Sequence, residues 1–455
     1  MSKIHIPSLP KAAACAALAA SMAIPGAVHA AMAPADVERL GKDLTPVGAE
    51  KAASKDGSIP SWEGGITRAP AGFDPKAGYA DPLGDDKVQY TITSANMAQY
   101  KDKLAPGQME MLKRYPTYKI NVYKSHRTAA LPASMYEHIK AEAGKAELAS
   151  GGSGVVNIQK SSVPFPQPKS GVEAIWNHVM RYRGGSVQRF STEFPVQANG
   201  AFTPVTRSET IAFAHAMPKP EANRLLYYTG AITGPASMAG EAIMVIDPLD
   251  QVKENRLAWS YNPGQRRVLR APDIAYDSPG QGADGLRTTD DYDGFNGAPD
   301  RYDWKLVGKK EMIISYNNYK ITSKSLKYAD IVRPGHVNQD LVRYEPHRVW
   351  VVEATLKDGK RHVYGKRVFY IDEDTWQVAH ADAYDGRGEL WRVHEIGAIQ
   401  YYDAPTPYFA YEAQYDLQAR RYLLTGLSNQ EKPIKFGLKL EPSYFTPDNL
   451  RRLSN

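Results

Sequence analysis

Asp291-Tyr292-Asp293-Gly294-Phe295-Asn296 places oxygen donors at alternating positions, the arrangement that a hard cation such as calcium uses. The segment lacks a closing bidentate glutamate and the spacing of a full calcium loop. Asx turns and surface solvation account for it more economically. Asp382 and Asp385, on either side of Tyr384, could form a glycosidase carboxylate pair. Turn formation with pairing to Arg387 or Arg392 explains them far more economically. The chain has no Gly-x-Ser-x-Gly elbow, no His-Glu-x-x-His, no Walker loop and no strand–Gly-x-Gly-x-x-Gly–helix unit. His394-Glu395 lacks a second histidine, and Gly151-Gly152-Ser153-Gly154 has no following lysine, so it reads as a flexible loop. The expectation is a protein with no catalytic residue, no metal and no cofactor. A hydrolase using carboxylates or a calcium loop ranks third.

Composition and the N-terminus fix the setting. Lys3 and Lys11 precede an apolar stretch, Ala12 to Ile24, that is too short for a bilayer span of roughly 20 residues. Pro25-Gly26 breaks it, and Val28-His29-Ala30 offers small residues for a signal peptidase. Residues 1–30 therefore read as a cleaved secretory signal, which directs the product to the periplasm. The single cysteine, Cys15, falls inside that signal, so the mature chain is expected to hold neither disulfide nor thiolate site. Without Lys3 and Lys11, 54 basic side chains face 50 acidic ones, interspersed along the sequence. That pattern is a solvated surface, and it excludes a nucleic-acid footprint. No later stretch is apolar for long enough to form a transmembrane helix.

The elements that would position a site fall into two parts. Residues 31–170 are rich in Pro, Gly, Ala and Lys, with short helices expected at Thr93–Leu104, Gly107–Arg114 and Ser134–Ala149. Gly171 to Arg183 carries Val172, Ile175, Trp176, Val179 and Met180 at helical spacing, an amphipathic helix to be laid on a sheet. From there to residue 455 the period becomes two. Leu257, Trp259 and Tyr261 share one face of a strand, Asn262-Pro263-Gly264-Gln265 turns, and Arg266–Arg270 returns. Strands continue through His347–Leu356, His362–Ile371, Thr375–Tyr384, Glu389–Tyr401, Tyr408–Leu417 and Arg421–Leu427. The 28 tyrosines, 11 phenylalanines and 7 tryptophans favour strands and offer amphipathic surface. One long loop, Pro272 to Arg301, is rich in Gly and Asp, and loops of that length are usually functional or mobile.

The fold expected is mainly β (α+β), a large curved antiparallel sheet with covering helices. Such a sheet with one aromatic-lined face can shelter an apolar ligand. The candidates for that face are Trp259, Tyr261, Trp350, Val352, Phe369, Ile371 and Trp391, each of which reads first as part of a filled core and second as a ligand contact. Arg266, Arg267 or Arg270 would meet an anionic head group, and the Gly171–Arg183 helix and the Pro272–Arg301 loop would gate the site.

The segment Trp259-Ser260-Tyr261-Asn262-Pro263-Gly264-Gln265-Arg266-Arg267-Val268 resembles the strand–turn–strand of LolA/LolB-like envelope proteins. Further stretches are similar to a large uncharacterised family of long periplasmic proteins within that superfamily. They are Leu44–Glu50, Ile59–Trp62, Gly171–Gly184, Asp284–Thr288, Phe295–Trp304 and Phe369–Val393 with its Tyr384-Asp385-Gly386-Arg387-Gly388. The resemblance implies a half-barrel of LolA/LolB type spanning residues 171–455, with residues 31–170 packed on it. It also implies a role near the outer membrane or beside transporters of the resistance–nodulation–division type. The function expected is non-catalytic binding or transfer of a lipid, a lipoprotein acyl chain or another hydrophobic molecule. The alternative is a ligand-free adaptor of an outer-membrane or transporter complex.

Overall fold

The computed structural model describes residues 32–271, 274 and 276–453; the proposed signal at residues 1–30 lies outside them. Two short strands come first, β1 (Tyr90–Ile92) and β2 (Ile120–Val122), and a small separate pair follows, β3 (Glu147–Leu148) with β4 (Val155–Val156). The first meander runs β5 (Ser186–Val196), β6 (Val205–Phe213), β7 (Leu226–Gly234), β8 (Ala242–Asp247), β9 (Leu257–Asn262) and β10 (Arg267–Arg270). After the long loop come β11 (Tyr302–Ser315), β12 (Tyr344–Leu356), β13 (Lys366–Asp372), β14 (Val378–Tyr384), β15 (Leu390–Tyr401), β16 (Thr406–Asp416), β17 (Arg421–Leu427) and the short β18 (Lys435–Phe436).

Sixteen of these strands form one open sheet, in which β17 pairs with β5 and so joins the second meander to the first. Every ladder in it is antiparallel except the single β2·β12 bridge, and the two ends of the path, β1 and β10, do not pair with each other. Bulges at Leu306/Gly308, Tyr370/Ile371, Ala383/Tyr384, Gly397/Ala398 and Leu424/Leu427 bend the strands and increase their twist. The large curved antiparallel sheet expected from the sequence is therefore present.

Helices cover it sparingly. α1 (Pro34–Val37), α2 (Pro106–Arg114) and α3 (Ala133–Glu142) belong to the N-terminal part. α4 (Gly171–Met180) begins at Ser170, whose Oγ accepts from Glu173 N–H while the Glu173 carboxylate accepts from Ser170 N–H, a capping box. It lies on β11 and β12. α5 (Tyr328–Ile331) is a single turn, and α6 (Pro447–Leu453) packs on β8, β9 and β10. No described helix is long and apolar enough to cross a membrane.

One core unites both parts of the chain. Val47, Leu104, Met111, Leu131 and Ile139 from the N-terminal part share it with Trp176, Trp350, Phe369, Trp376 and Tyr411. A second, smaller core lies under α6 and contains Tyr227, Met244, Tyr261, Phe445 and Leu450.

Candidate functional site

The cavity of interest forms where the first meander meets the long loop. Alternation along β6, β7 and β8 sends Arg207, Glu209, Ile211, Leu226, Tyr228, Ile243, Val245 and Asp247 to one face. The loop crosses that face and contributes Gly280, Gln281, Arg287, Tyr292 and Asn296. Between them lies a cavity of about 100 Å³ with an apolar strip, Ile211, Leu226, Ile243 and Val245, and a charged remainder. Arg256 lines both this cavity and a neighbouring one of about 460 Å³ beside Leu257, Arg270 and Tyr276.

Buried ion pairs hold the loop down. Asp293 takes Arg181 on one carboxylate oxygen and Arg183 on the other, the latter at 2.6 Å. Asp290 takes Arg367 at 3.0 Å and His362 at 3.0 Å, and Tyr364 Oη donates to Asp291 at 2.7 Å. Arg256 pairs with Asp247 and reaches the carbonyl of Asn296. Asp293 sits at φ 57°, a left-handed conformation that aspartate tolerates. The alternating acidic pattern at residues 291–296 thus meets guanidinium groups and a phenol, for a reason invisible locally: the arginines come from the chain just after α4 and from β13.

The charges in the cavity are unevenly matched. Burial alone would raise Glu209, but Arg189 and Arg207 outweigh it and bring its pKa down to about 2. Its carboxylate also accepts from Tyr228 Oη at 2.9 Å and Tyr292 Oη at 3.2 Å. Glu193 pairs with Arg207. Arg287, 6% exposed, has its nearest carboxylate, Glu193, at 3.9 Å, and its Nε has no hydrogen-bond partner. It stacks over Tyr292 at 5.2 Å. Arg287 is the cation of this cavity that an anionic group could meet.

The residues singled out from the sequence are not gathered in one place. Register relates Val352, Phe369, Ala381, His394, Gln414 and Leu423 as neighbours across one face, the face that carries the loop and α4. Trp350 and Phe369 lie on it, but in the main core: Phe369 is 1% exposed against Phe295 of the loop, and Trp350 stacks on Trp376 at 6.1 Å. Val352 and Ile371 are buried with them. Trp259 and Tyr261 do share a face, as alternation required. However, Trp259 pairs with Met244, whose neighbours Ile243 and Val245 line the cavity, so both aromatics point the other way, into the core under α6. Arg266 occupies the hairpin turn at φ 51°, exposed, with its N–H bonded to Asn262 O at 2.9 Å. Trp391 is half-buried, donates Nε1–H to Asp416 at 3.0 Å and stacks with Arg392 at 4.4 Å.

The proposed hydrolase pair is also occupied: Asp382 meets His380 at 2.8 Å and Gly107 N–H at 3.1 Å, while Asp385 caps its own turn. The cavity residues Arg207, Glu209 and Arg287 were absent from the sequence-derived set. Their one available signal was charge on alternate residues, Arg189, Glu193, Arg207 and Glu209, in two adjacent strands.

The family model described as "Protein of unknown function (DUF1329)" matches residues 91–451. The uncharacterized protein PA3922 of Pseudomonas aeruginosa is 51% identical over 431 residues, covering 93% of this chain and 94% of that protein. Among solved structures, a DUF1329 family protein from Desulfovibrio piger is 14% identical, covering 59% of this chain and 92% of that one, with a TM-score of 0.42. The LolA superfamily protein NE2245 from Nitrosomonas europaea is 15% identical, covering 62% and 99%, with a TM-score of 0.38.

Proposed function

This chain belongs to the DUF1329 family, and from that premise we propose that it is a non-catalytic periplasmic protein that binds or transfers a lipid or another hydrophobic molecule. The ligand lies between β6–β8 and the loop at residues 276–296. The observation that carries this reading is the cavity there, apolar along Ile211, Leu226, Ile243 and Val245, charged at Arg287, and roofed by a loop held by ion pairs. A cavity of about 100 Å³ is smaller than the ~300–1,000 Å³ typical of ligand sites. Admitting an acyl chain therefore requires the loop to lift, with Arg256 at the passage to the neighbouring 460 Å³ space. Apolar burial, at roughly 25 cal/mol per Å², supplies the driving force. Export by the N-terminal signal at residues 1–30 supports the periplasmic setting.

The test is binding of anilinonaphthalene sulfonate, an anionic apolar probe, by the mature protein and by Ile243→Trp, which fills the cavity. Saturable binding lost in Ile243→Trp, with the fold retained, supports the reading. Equal binding by both proteins removes it.

A second reading, the ligand-free adaptor of an outer-membrane or transporter complex, is favoured by one specific observation. Trp350, Val352, Phe369 and Ile371 are closed into a filled core, so much of the covered face has no room for a ligand.

A further inference from the structure

At the β13–β14 turn, far along the sheet from the cavity, the sequence Asp372-Glu373-Asp374-Thr375-Trp376 is buried beneath the N-terminal segment. Main-chain carbonyls of that segment seal it. Arg127 reaches Lys51 O and Pro60 O, Arg348 reaches Ala52 O at 2.9 Å, and Trp376 Nε1–H donates to Val47 O at 2.9 Å.

Three carboxylates around this turn have a cation. Glu373 has Lys309 at 3.0 Å and Arg348 at 3.3 Å, Asp374 has Arg127 at 2.6 Å, and Glu345 has Arg343 at 2.5 Å. Asp372 has none among the described residues. Its Oδ2 accepts from Thr375 N–H at 3.0 Å and Thr375 Oγ1 at 2.7 Å, while its Oδ1 is buried without a hydrogen-bond partner. A fully buried carboxylate with one bare oxygen and no counter-charge is unfavourable as an anion, so it either holds a proton or takes a cation.

A second oxygen is in the same condition. Tyr316 is 3% exposed and its hydroxyl has no partner. Its ring lies against His347 at 3.9 Å between centroids. Burial first, then the charges of Asp372 and Asp374, hold its proton tightly. His347, Asp372 and Asp374 are all buried, and one potential ligand atom from each lies within 4.8 Å of the others. Bonds of about 2.0–2.2 Å to one centre hold ligand atoms about 3.4 Å apart in a tetrahedral site, so binding draws these side chains together from their present separations. His347 Nε2 lies 3.1 Å from Glu345 Oε2. With the proton on Nε2, that carboxylate orients the ring and leaves Nδ1 with its lone pair, the usual outer-shell support of a metal-bound histidine. Arg127 donates one bond to each oxygen of Asp374, and a carboxylate oxygen has a second lone pair to offer.

We propose that His347, Asp372 and Asp374, with the Tyr316 ring packed on the imidazole, bind one divalent metal ion of the zinc or manganese class. One imidazole with carboxylates suits those ions, whereas calcium and magnesium favour oxygen donors throughout. The ion supplies Asp372 with its counter-charge and fixes the turn under residues 47–60. The site is structural, and it stands independently of the hydrophobic-ligand reading.

The experiment uses the full mature chain without a metal-affinity tag, stripped with a chelator and then equilibrated with zinc, manganese or calcium. Elemental mass spectrometry measures the bound ion, and thermal unfolding is followed in each state. The expected result is about one equivalent of zinc or manganese with a raised Tm, lost in Asp372→Asn and His347→Gln. Asp372→Asn keeps an oxygen for Thr375. Should either variant fail to fold, Tyr316→Phe leaves the turn intact and is expected to weaken the ion by about 10-fold, as outer-shell changes do. Absence of bound metal and of any Tm shift overturns the proposal. So does unchanged metal affinity in the folded variants.

Discussion

His178 on α4 holds the main-chain carbonyl of Asp293 in the long loop, Nε2 to O, at 2.8 Å. The same histidine accepts Val378 N–H on Nδ1 at 3.0 Å, so helix, loop and the start of β14 meet on one neutral ring. The Asp293 carboxylate adds Arg181 and Arg183, both at the end of that helix. Helix and loop therefore form a single cover. Opening the cavity means breaking this junction or bending the loop beyond it.

Asp293→Asn removes the charge while keeping the shape and the left-handed backbone, and it leaves Arg181 and Arg183 buried without a counter-ion. The expected loss of stability is about 3–5 kcal/mol, measured by urea unfolding. Faster amide exchange across residues 286–296 should accompany it. An unchanged unfolding midpoint would show that the loop is held by other contacts.

His178 gives the fold a pH dependence. Burial, and then Arg181, lower its pKa from 6.5 to about 3, with Asp293 opposing and Arg183 adding to the shift. Below pH ~6.5 the unfolded chain takes up a proton that the folded one refuses, so stability falls as pH drops from 6.5 toward 3. His215, lowered to about 4 mainly by burial, acts in the same direction. The combined effect is on the order of a few kcal/mol. Urea midpoints at pH 7 and pH 4.5 should differ, and the difference should shrink in His178→Gln. A flat profile for the native protein contradicts the neutral assignment.

Arg287→Met, which removes the charge but fills most of the buried volume over Tyr292, should leave stability within about 1.5 kcal/mol. Affinity for anilinonaphthalene sulfonate should drop by roughly 10-fold, about 1.4 kcal/mol. A neutral apolar probe should bind as before. Loss of both probes alike would assign Arg287 to the loop's packing.

Tyr261→Ala should destabilise the α6 core by about 3 kcal/mol without altering probe binding, because Tyr261 packs on the face opposite the cavity. Reduced probe affinity in the folded variant would place the ligand on the α6 side instead.

Much of this architecture is written locally. The turns Lys357-Asp358-Gly359-Lys360 and Asp385-Gly386-Arg387-Gly388 do separate neighbouring strands, and the strand expected at Arg421–Leu427 has those bounds in the structure. The helix after Ser170 carries its capping box in sequence. Two kinds of information are absent from such patterns. Alternation sorts side chains into two faces but does not say what covers each, and α6, more than 180 residues downstream of Trp259, decides that for Trp259 and Tyr261. Pairings across long separations are equally silent: β17 against β5, or the loop's aspartates against Arg181, Arg183 and Arg367. The helix expected over Ser134–Ala149 ends at Glu142 for a local reason that was readable: Gly144 turns the chain at φ 81°, and Glu147–Leu148 then pairs with Val155–Val156.

Native mass spectrometry of the protein purified from its native host, followed by organic extraction, tests the central claim most directly. The account predicts a bound lipid or hydrophobic molecule at near-unit stoichiometry, absent from Ile243→Trp purified in the same way. A ligand-free mass, together with no uptake of anilinonaphthalene sulfonate by the native protein, would contradict it and leave the adaptor reading.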